Sequence, residues 1–457
     1  MKISELAHVS VGDPKKGPFV LVLEDGAVIT AEDRAMLQSL YSRSPSSVLR
    51  HLEKLAETGS GNFMAQFYVG YGHKSIGDCG HTTIFIENVS MLVAKAIQDS
   101  MLYDGQEVST RYLDFALQPF INPLAISDEN NPQEKFRRFY VDAMPVLVKT
   151  LKERYPIKEG EKESAYDKAI AARAFDILRG FLPAGAETNL AWTTNLRQAA
   201  DKLSQLFVHP LEEVRQVALM IKEALKKAHP YSFNHKIYPE SDEYREQYMA
   251  RSYYFAPLRE EIEDGVVLKR NSIDTKLMLS NLRIIKLRPV KTELPKHLAE
   301  IGTLQFEFTL DFGSFRDIAR QRAVIQRMPL LTPVYGFHEW YLEQLPEILK
   351  NQISEMLNDV YVWWQEKVSS CSSEKDKNTL QYYLPMGYRV PCRITGDLPS
   401  LVYLVELRSG VTVHATLREV AQNMATHIER LGIPLYIDRS EIGRFDVKRG
   451  DQDIVMK

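Results

Sequence analysis

Apolar and polar residues recur along this chain with two periods, one near 2 and one near 3.6, and these sort it into strands and helices. The run FVLVLEDGAVIT (19–30) sets two apolar stretches on either side of Asp25-Gly26, which predicts a hairpin. Residues 31–57 carry helical spacing, interrupted around Ser44-Pro45 because proline disfavours the helical conformation in the residue before it. TTIFIE (82–87) reads as a strand. In VSMLVAKAIQDSML, which follows it, Val89, Leu92, Val93, Ala96 and Ile97 share one helical face. Helical patterns resume at 164–181, 195–207 and 211–227. Residues 231–290 change character, with polar clusters, a turn at Asp264-Gly265 and the strand-like runs VVLK and RIIKL. A boundary near 245 follows, giving domains 1–245 and 246–457. Beyond it FEFTL (306–310) predicts a strand, FRDIARQRAVIQR (315–327) a helix, and 398–408 and 413–431 amphipathic helices.

The second half repeats the first. Phe181-Leu182-Pro183-Ala184-Gly185 parallels Tyr383-Leu384-Pro385-Met386-Gly387. At the same distance beyond Pro183 and Pro385 stand Asn195 and Asp397, each opening a helical pattern, and LEEVRQ (211–216) parallels LREVAQ (417–422). Ordered matches at near-constant spacing indicate a divergent internal duplication.

Composition narrows the classes. A chain of 457 residues with 44% hydrophobic and 26% charged residues is expected to be globular and to form two domains. A formal net charge of −3 supplies no general attraction to nucleic acid or anionic membrane, so any phosphate site must come from a local arginine cluster. The three cysteines, Cys79, Cys371 and Cys392, show no paired spacing. With no apolar run of membrane-spanning length and no signal-peptide pattern, a cytoplasmic protein is expected.

Three segments carry candidate chemistry. Wound as a helix, 315–327 would place Arg316, Arg320 and Arg327 on one face, where guanidinium groups repel unless solvated or sharing an anion. A solvated basic face, partly neutralised by Asp317, is the competing reading. In GQEVSTRY (105–112), Glu107, Ser109 and Arg111 alternate with Val108 and Thr110, so an extended chain would turn all three the same way. In GHKSIGDCGH (72–81), His73, Cys79 and His81 lack the spacing and the second cluster of a zinc site. No metal is expected there, and a ligand-lining loop suits the glycines better.

Taken in order, these segments resemble the flavin-dependent thymidylate synthase family. That family has a Gly-His-x-Ser/Thr loop, a strand, a helix, and the signature RHRxxSxxxxSxR followed by Tyr. Further on come an Arg before Leu-Pro, an Asn-x-Arg and a later Arg. The first copy keeps Gly72-His73-Lys74-Ser75, the rear of the signature (Glu107, Ser109, Arg111, Tyr112), Arg179 before Leu182-Pro183, and Asn195-Leu196-Arg197. It has Asp99-Ser100-Met101 for RHR and Leu206 for the late arginine. The second copy is the complement: Arg320-Gln321-Arg322 and Arg408 are kept, while Leu330, Thr332, Gln381, Asp397 and Pro399 stand at the other positions.

The resemblance implies an α+β fold of two tandem copies, each an antiparallel sheet packed with helices. It implies transfer of the methylene of methylenetetrahydrofolate to C5 of dUMP, with FAD carrying reducing equivalents from NADPH. Glu107, Ser109, Arg111, Arg179 and Arg320 would bind dUMP, and Arg408 would face the uracil as the catalytic arginine. His73, Ser75, Glu107, Asn195, Arg197, Arg320, Gln321 and Arg322 would contact FAD. A homodimer standing in for the family's tetramer is expected, without nucleic-acid or membrane partners. A related pyrimidine-nucleotide hydroxymethylase and a non-catalytic nucleotide-binding homologue are the alternatives.

Overall fold

The structure, a computed structural model, describes residues 8–23, 29–110, 113–253 and 265–447. Its chain contacts group into two units. One comprises Met1–Ser109 with Glu187–Arg251, the other Thr110–Ala186 with Ser252–Lys457.

The first unit is built on strands rich in β-branched residues, which fit a pleated surface. They are β1 (His8–Val11), β2 (Phe19–Leu23), β3 (His81–Ser90), β4 (Asp104–Glu107) and β5 (Glu187–Asn195), antiparallel in the order β1-β2-β3-β5-β4. Ile84 and Ile86 on β3, Val20 and Val22 on β2, and Leu190 and Trp192 on β5 are buried. The helix Glu212–Ala228 buries Val214, Val217, Ala218, Ile221 and Leu225 and packs on β1 and β2. A bulge interrupts the β3–β5 register between Ile86 and Val89. There Asn88 takes a positive φ of 56°, which its short amide tolerates, and its N–H donates to Asn189 Oδ1 at 2.9 Å.

The second unit contains β6 (Val266–Asn271), β7 (Thr303–Asp311), β8 (Ile325–Arg327) and β9 (Arg389–Asp397) in the order β6-β7-β9-β8. That order reproduces β2-β3-β5-β4. Registers agree as well: β4 starts its pairing at Asp104↔Thr193 and β8 at Ile325↔Thr395, while His81↔Asn195 corresponds to Thr303↔Asp397. Asn195 and Asp397 cap the helices Leu196–Leu206 and Leu398–Arg408, accepting from Gln198 N and Ser400 N at 2.8 Å each. The chain is thus α+β, with two antiparallel sheets packed with helices.

Within the second unit the two matched Leu-Pro segments pair with each other through a bridge at Pro183↔Pro385. Ala184 N donates to Leu384 O and Met386 N to Leu182 O, both at 2.9 Å. Gly185 N donates to Tyr382 O at 3.0 Å, and Gly387 N to Gly180 O at 2.7 Å. Each bond has a counterpart with the roles exchanged, so a local two-fold relation joins the segments.

Three expectations fail here. The hairpin at 19–30 does not form, because β2 is paired on both edges, by β1 and β3, and Thr30 already caps the helix Ala31–Tyr41. The Asp25-Gly26 turn itself lies outside the described residues. The helix expected at 315–327 spans only Phe312–Ile318, after which the chain turns into β8, since pairing with β9 outweighs a local helical pattern. RIIKL is helical, within Thr275–Leu287 capped by Asp274, its adjacent isoleucines having suggested a strand. Long helices at Pro132–Arg154 and Glu347–Ser370, and one at Pro239–Tyr253, lie in segments for which no element was expected. Among the described residues no helix is long and apolar enough to cross a membrane.

Candidate functional site

The second unit gathers arginines from both halves of the sequence. Asp311, at the end of β7, caps the helix Phe312–Ile318 by accepting from Ser314 N at 2.9 Å, and the same carboxylate oxygen accepts from the Tyr341 hydroxyl at 2.9 Å. Ser314 is fully buried. Its hydroxyl lies 2.7 Å from Thr416 Oγ1, 3.0 Å from His414 Nδ1 and 3.4 Å from Arg179 Nη2, which donates to it. His414 Nε2 meets the Asp176 carbonyl at 3.1 Å. A carbonyl only accepts, so Nε2 carries the ring proton and Nδ1 accepts from a hydroxyl. Burial first, and Arg179 next, hold this histidine well below its ordinary pKa and therefore neutral.

Arg179 follows the helix Glu163–Leu178. Burial pulls its pKa down, but Tyr341, Asp176, Asp317 and Asp311 more than reverse this, and the group stays charged. Its Nε is buried with no partner among the described residues. Arg408 ends the helix Leu398–Arg408, where a cation complements the helix dipole. Its Nη2 donates to the Asp317 carbonyl at 2.6 Å, and its Nε is likewise buried and unpartnered. Burial holds its pKa down; Asp317 opposes this and Arg320 adds to it. Asp317 thus acts on both Arg179 and Arg408, and Arg320 lies close enough to Arg408 to disfavour its charge.

Other expected positions stand differently. Arg316, Arg320 and Arg327 do not share a helical face, because only Arg316 is helical. Arg320 and Arg322 are exposed in the turn beyond the helix, with Gln321 between them 8% exposed. In the first unit, β4 ends at Glu107, whose buried carboxylate accepts from Gln98 Nε2 at 2.9 Å. Ser109 is exposed, and Arg111 lies outside the described residues. His73 is exposed against Phe67 and Tyr71, and Ser75 lies in the short helix Lys74–Cys79. That helix abuts Leu196–Leu206, where Arg197 contacts Asp78 at 2.9 Å and Asp201 at 3.6 Å. Asn195 spends its carbonyl on the helix cap, which leaves its amide nitrogen to donate. His, Cys, Asp and Glu side chains nowhere gather in threes suited to a metal among the described residues.

The positions lacking arginine have been turned to packing. Gln381 is buried, accepting from Leu331 N at 2.7 Å and donating to Asn378 O at 2.8 Å. Leu206 is a core residue. In the first unit Lys202, not an arginine, meets the turn, donating to Asp99 O at 2.6 Å. Burial depresses the Lys202 pKa to about 8, against about 10.4 in an unfolded chain. Between those values the unfolded chain binds more protons, so stability should rise as pH climbs from about 8 towards 10. Urea unfolding of the wild type and Lys202→Met across this window checks it. The wild type should gain on the variant with pH, and a constant difference would contradict the assignment.

Asp317 was legible only as a partial neutraliser of a basic face. The Ser314–His414–Thr416 network gave no sequence signal, because Ser314 lies on the helix Phe312–Ile318 and the other two at the start of the helix Ala415–Glu429, far along the chain.

The profile of the thymidylate synthase complementing protein family matches residues 28–231. A UPF0159 protein of Chlamydia muridarum is 25% identical over 423 residues, covering 80% of this chain and 78% of the relative. A UPF0159 protein of Thermoplasma acidophilum is 23% identical over 495 residues, covering 91% and 98%. One of Chlamydia pneumoniae is 23% identical over 456 residues, covering 86% and 83%. Such coverage extends over both sheets. Over residues 28–231, this chain is similar to the thymidylate synthase complementing protein family.

Proposed function

We propose that this protein is a flavin-dependent thymidylate synthase, methylating dUMP to dTMP with methylenetetrahydrofolate and NADPH, and that residues 1–245 and 246–457 descend from one duplicated domain. One observation carries the reading. Arg179 from the first half and Arg408 from the second both feel Asp317, with Arg320 beside Arg408, so arginines of both halves meet in one unit. The repeated strand order and registers support the duplication.

In this reading Arg179 and Arg320, with Ser109 and Arg111, hold the dUMP phosphate. Charge-assisted bonds to a dianion orient the nucleotide as well as bind it. Glu107 would accept from the substrate or the cofactor. Arg408 brings unspent donors to the uracil and stabilises negative charge as C5 becomes nucleophilic. FAD, when bound, would supply the reducing equivalents that originate in NADPH. The donor set fits such a group: exposed His73 and Ser75, the Asn195 amide and Arg197 lie along one loop–helix junction. Gln321 and Arg322 would complete the flavin contacts with Arg320. Arg197 must exchange Asp78 or Asp201 for the ligand, an inexpensive exchange for exposed ion pairs. A homodimer would then hold two working sites.

The test is to purify the protein with FAD, add dUMP, and follow the flavin spectrum and the products formed with methylenetetrahydrofolate and NADPH. A spectrum perturbed by dUMP together with dTMP formation is expected. A hydroxymethyl product would redirect the assignment within the same chemistry, and a protein that cannot bind FAD would overturn it.

A further inference from the structure

Arg173 lies on the helix Glu163–Leu178 and is 7% exposed, yet no carboxylate among the described residues comes within ion-pair distance of it. Its Nη2 donates to Gly443 O at 2.9 Å and to Gln344 Oε1 at 3.3 Å, and its Nε is buried without a partner. Among the described residues its hydrogen bonds go to Gly443, Gln344 and Tyr155. A buried guanidinium without an ion-pair partner is costly, and burial does hold its pKa below the ordinary arginine value, against the opposing influences of Tyr155 and then Asp176.

This side chain lines a cavity of about 190 Å³ within the second unit. The Trp340 ring lies beneath the guanidinium, 5.2 Å from it, and Ala169, Val411, Val413 and Phe445 add apolar wall. Arg444 stands exposed at the rim, while Asp176 and Asp446 are the acids of the wall. The other buried arginine of the wall, Arg418, is consumed by Ser409, Asp438, Ser440 and Glu441. Arg173 is therefore the buried wall cation available to a ligand, with Arg444 exposed at the rim. The volume is below the about 300–1,000 Å³ usual for larger ligands, which restricts the occupant to roughly one ring.

We propose that this cavity binds a small aromatic carboxylate, with its anion on Arg173 and its ring along Trp340 and Phe445. Arg179, Arg320 and Arg408 do not line this cavity, although His414 and Asp176 in its wall also belong to the network around Arg179.

Calorimetric titration of the full-length protein with benzoate, and with benzamide as its neutral isostere, tests this. Saturable benzoate binding is expected, with benzamide about tenfold weaker or worse. Arg173→Gln should weaken benzoate by at least about tenfold. Val413→Phe, a half-exposed position on the wall, should block the cavity while keeping Arg173, so the proposal stays testable if the first variant does not fold. Absence of benzoate binding, equal affinity for benzamide, indifference to both variants, or displacement of benzoate by dUMP would each overturn it.

Discussion

In the proposed reaction, replacing Arg408 with alanine should lower the turnover of dUMP by about 10²–10³-fold, the usual consequence of deleting a donor aimed at developing charge. Arg408 is a cation that burial and Arg320 both disfavour, held in place by its bond to the Asp317 carbonyl and by its position at a helix C-terminus. Its Nε remains unspent. An arrangement that keeps two guanidinium groups close is best satisfied when an anionic or charge-accumulating ligand lies between them. Arg408→Lys keeps the charge and loses the planar fork, so it should recover only part of the rate. The folded state should lose no more than about 1 kcal/mol, the ordinary value of one hydrogen bond. Steady-state measurement of dTMP formation, reading kcat and KM separately, checks the expectation. An unchanged kcat would remove Arg408 from the chemistry.

The largest stability effect should come from Arg418→Ala, at about 3–5 kcal/mol. Arg418 is 1% exposed and is among the largest fully buried side chains. Its Nε donates to Ser409 O at 2.7 Å and its Nη1 to Glu441 O at 2.8 Å. Its Nη2 serves Asp438 Oδ1 at 3.1 Å, Ser440 O at 2.8 Å and Ser440 Oγ at 2.6 Å. One side chain therefore fastens the segment 438–441 to the helix Ala415–Glu429. Alanine would leave the carbonyls without their donor and open a void, two penalties that act in the same direction. Arg418→Met refills most of the volume and should recover the packing part alone. Urea unfolding of the three proteins decides the matter, and a loss under about 1 kcal/mol for alanine would refute the fastening role.

Much of this was legible without a structure. The alternation in TTIFIE and FEFTL located β3 and β7, and the spacing at 398–408 located a helix with the observed bounds. Asn195 and Asp397 were correctly read as helix openers, because capping is a local bond between a side chain and an N–H three residues on. The matched Leu-Pro segments marked a repeat. Their pairing with each other had no local signal.

The sequence by itself determined many of the periodic elements and the caps at Asn195 and Asp397, since these depend on residue identity and short-range spacing. Only the tertiary structure decided that the helix after Asp311 ends at Ile318, because the edge of β9 requires a strand at Ile325–Arg327. Only the tertiary structure brought Arg179 to Ser314, and Asp317 between Arg179 and Arg408. Those contacts join residues far apart in the chain. The hydrogen bonds exchanged about Pro183 and Pro385 likewise join segments that no window of sequence contains.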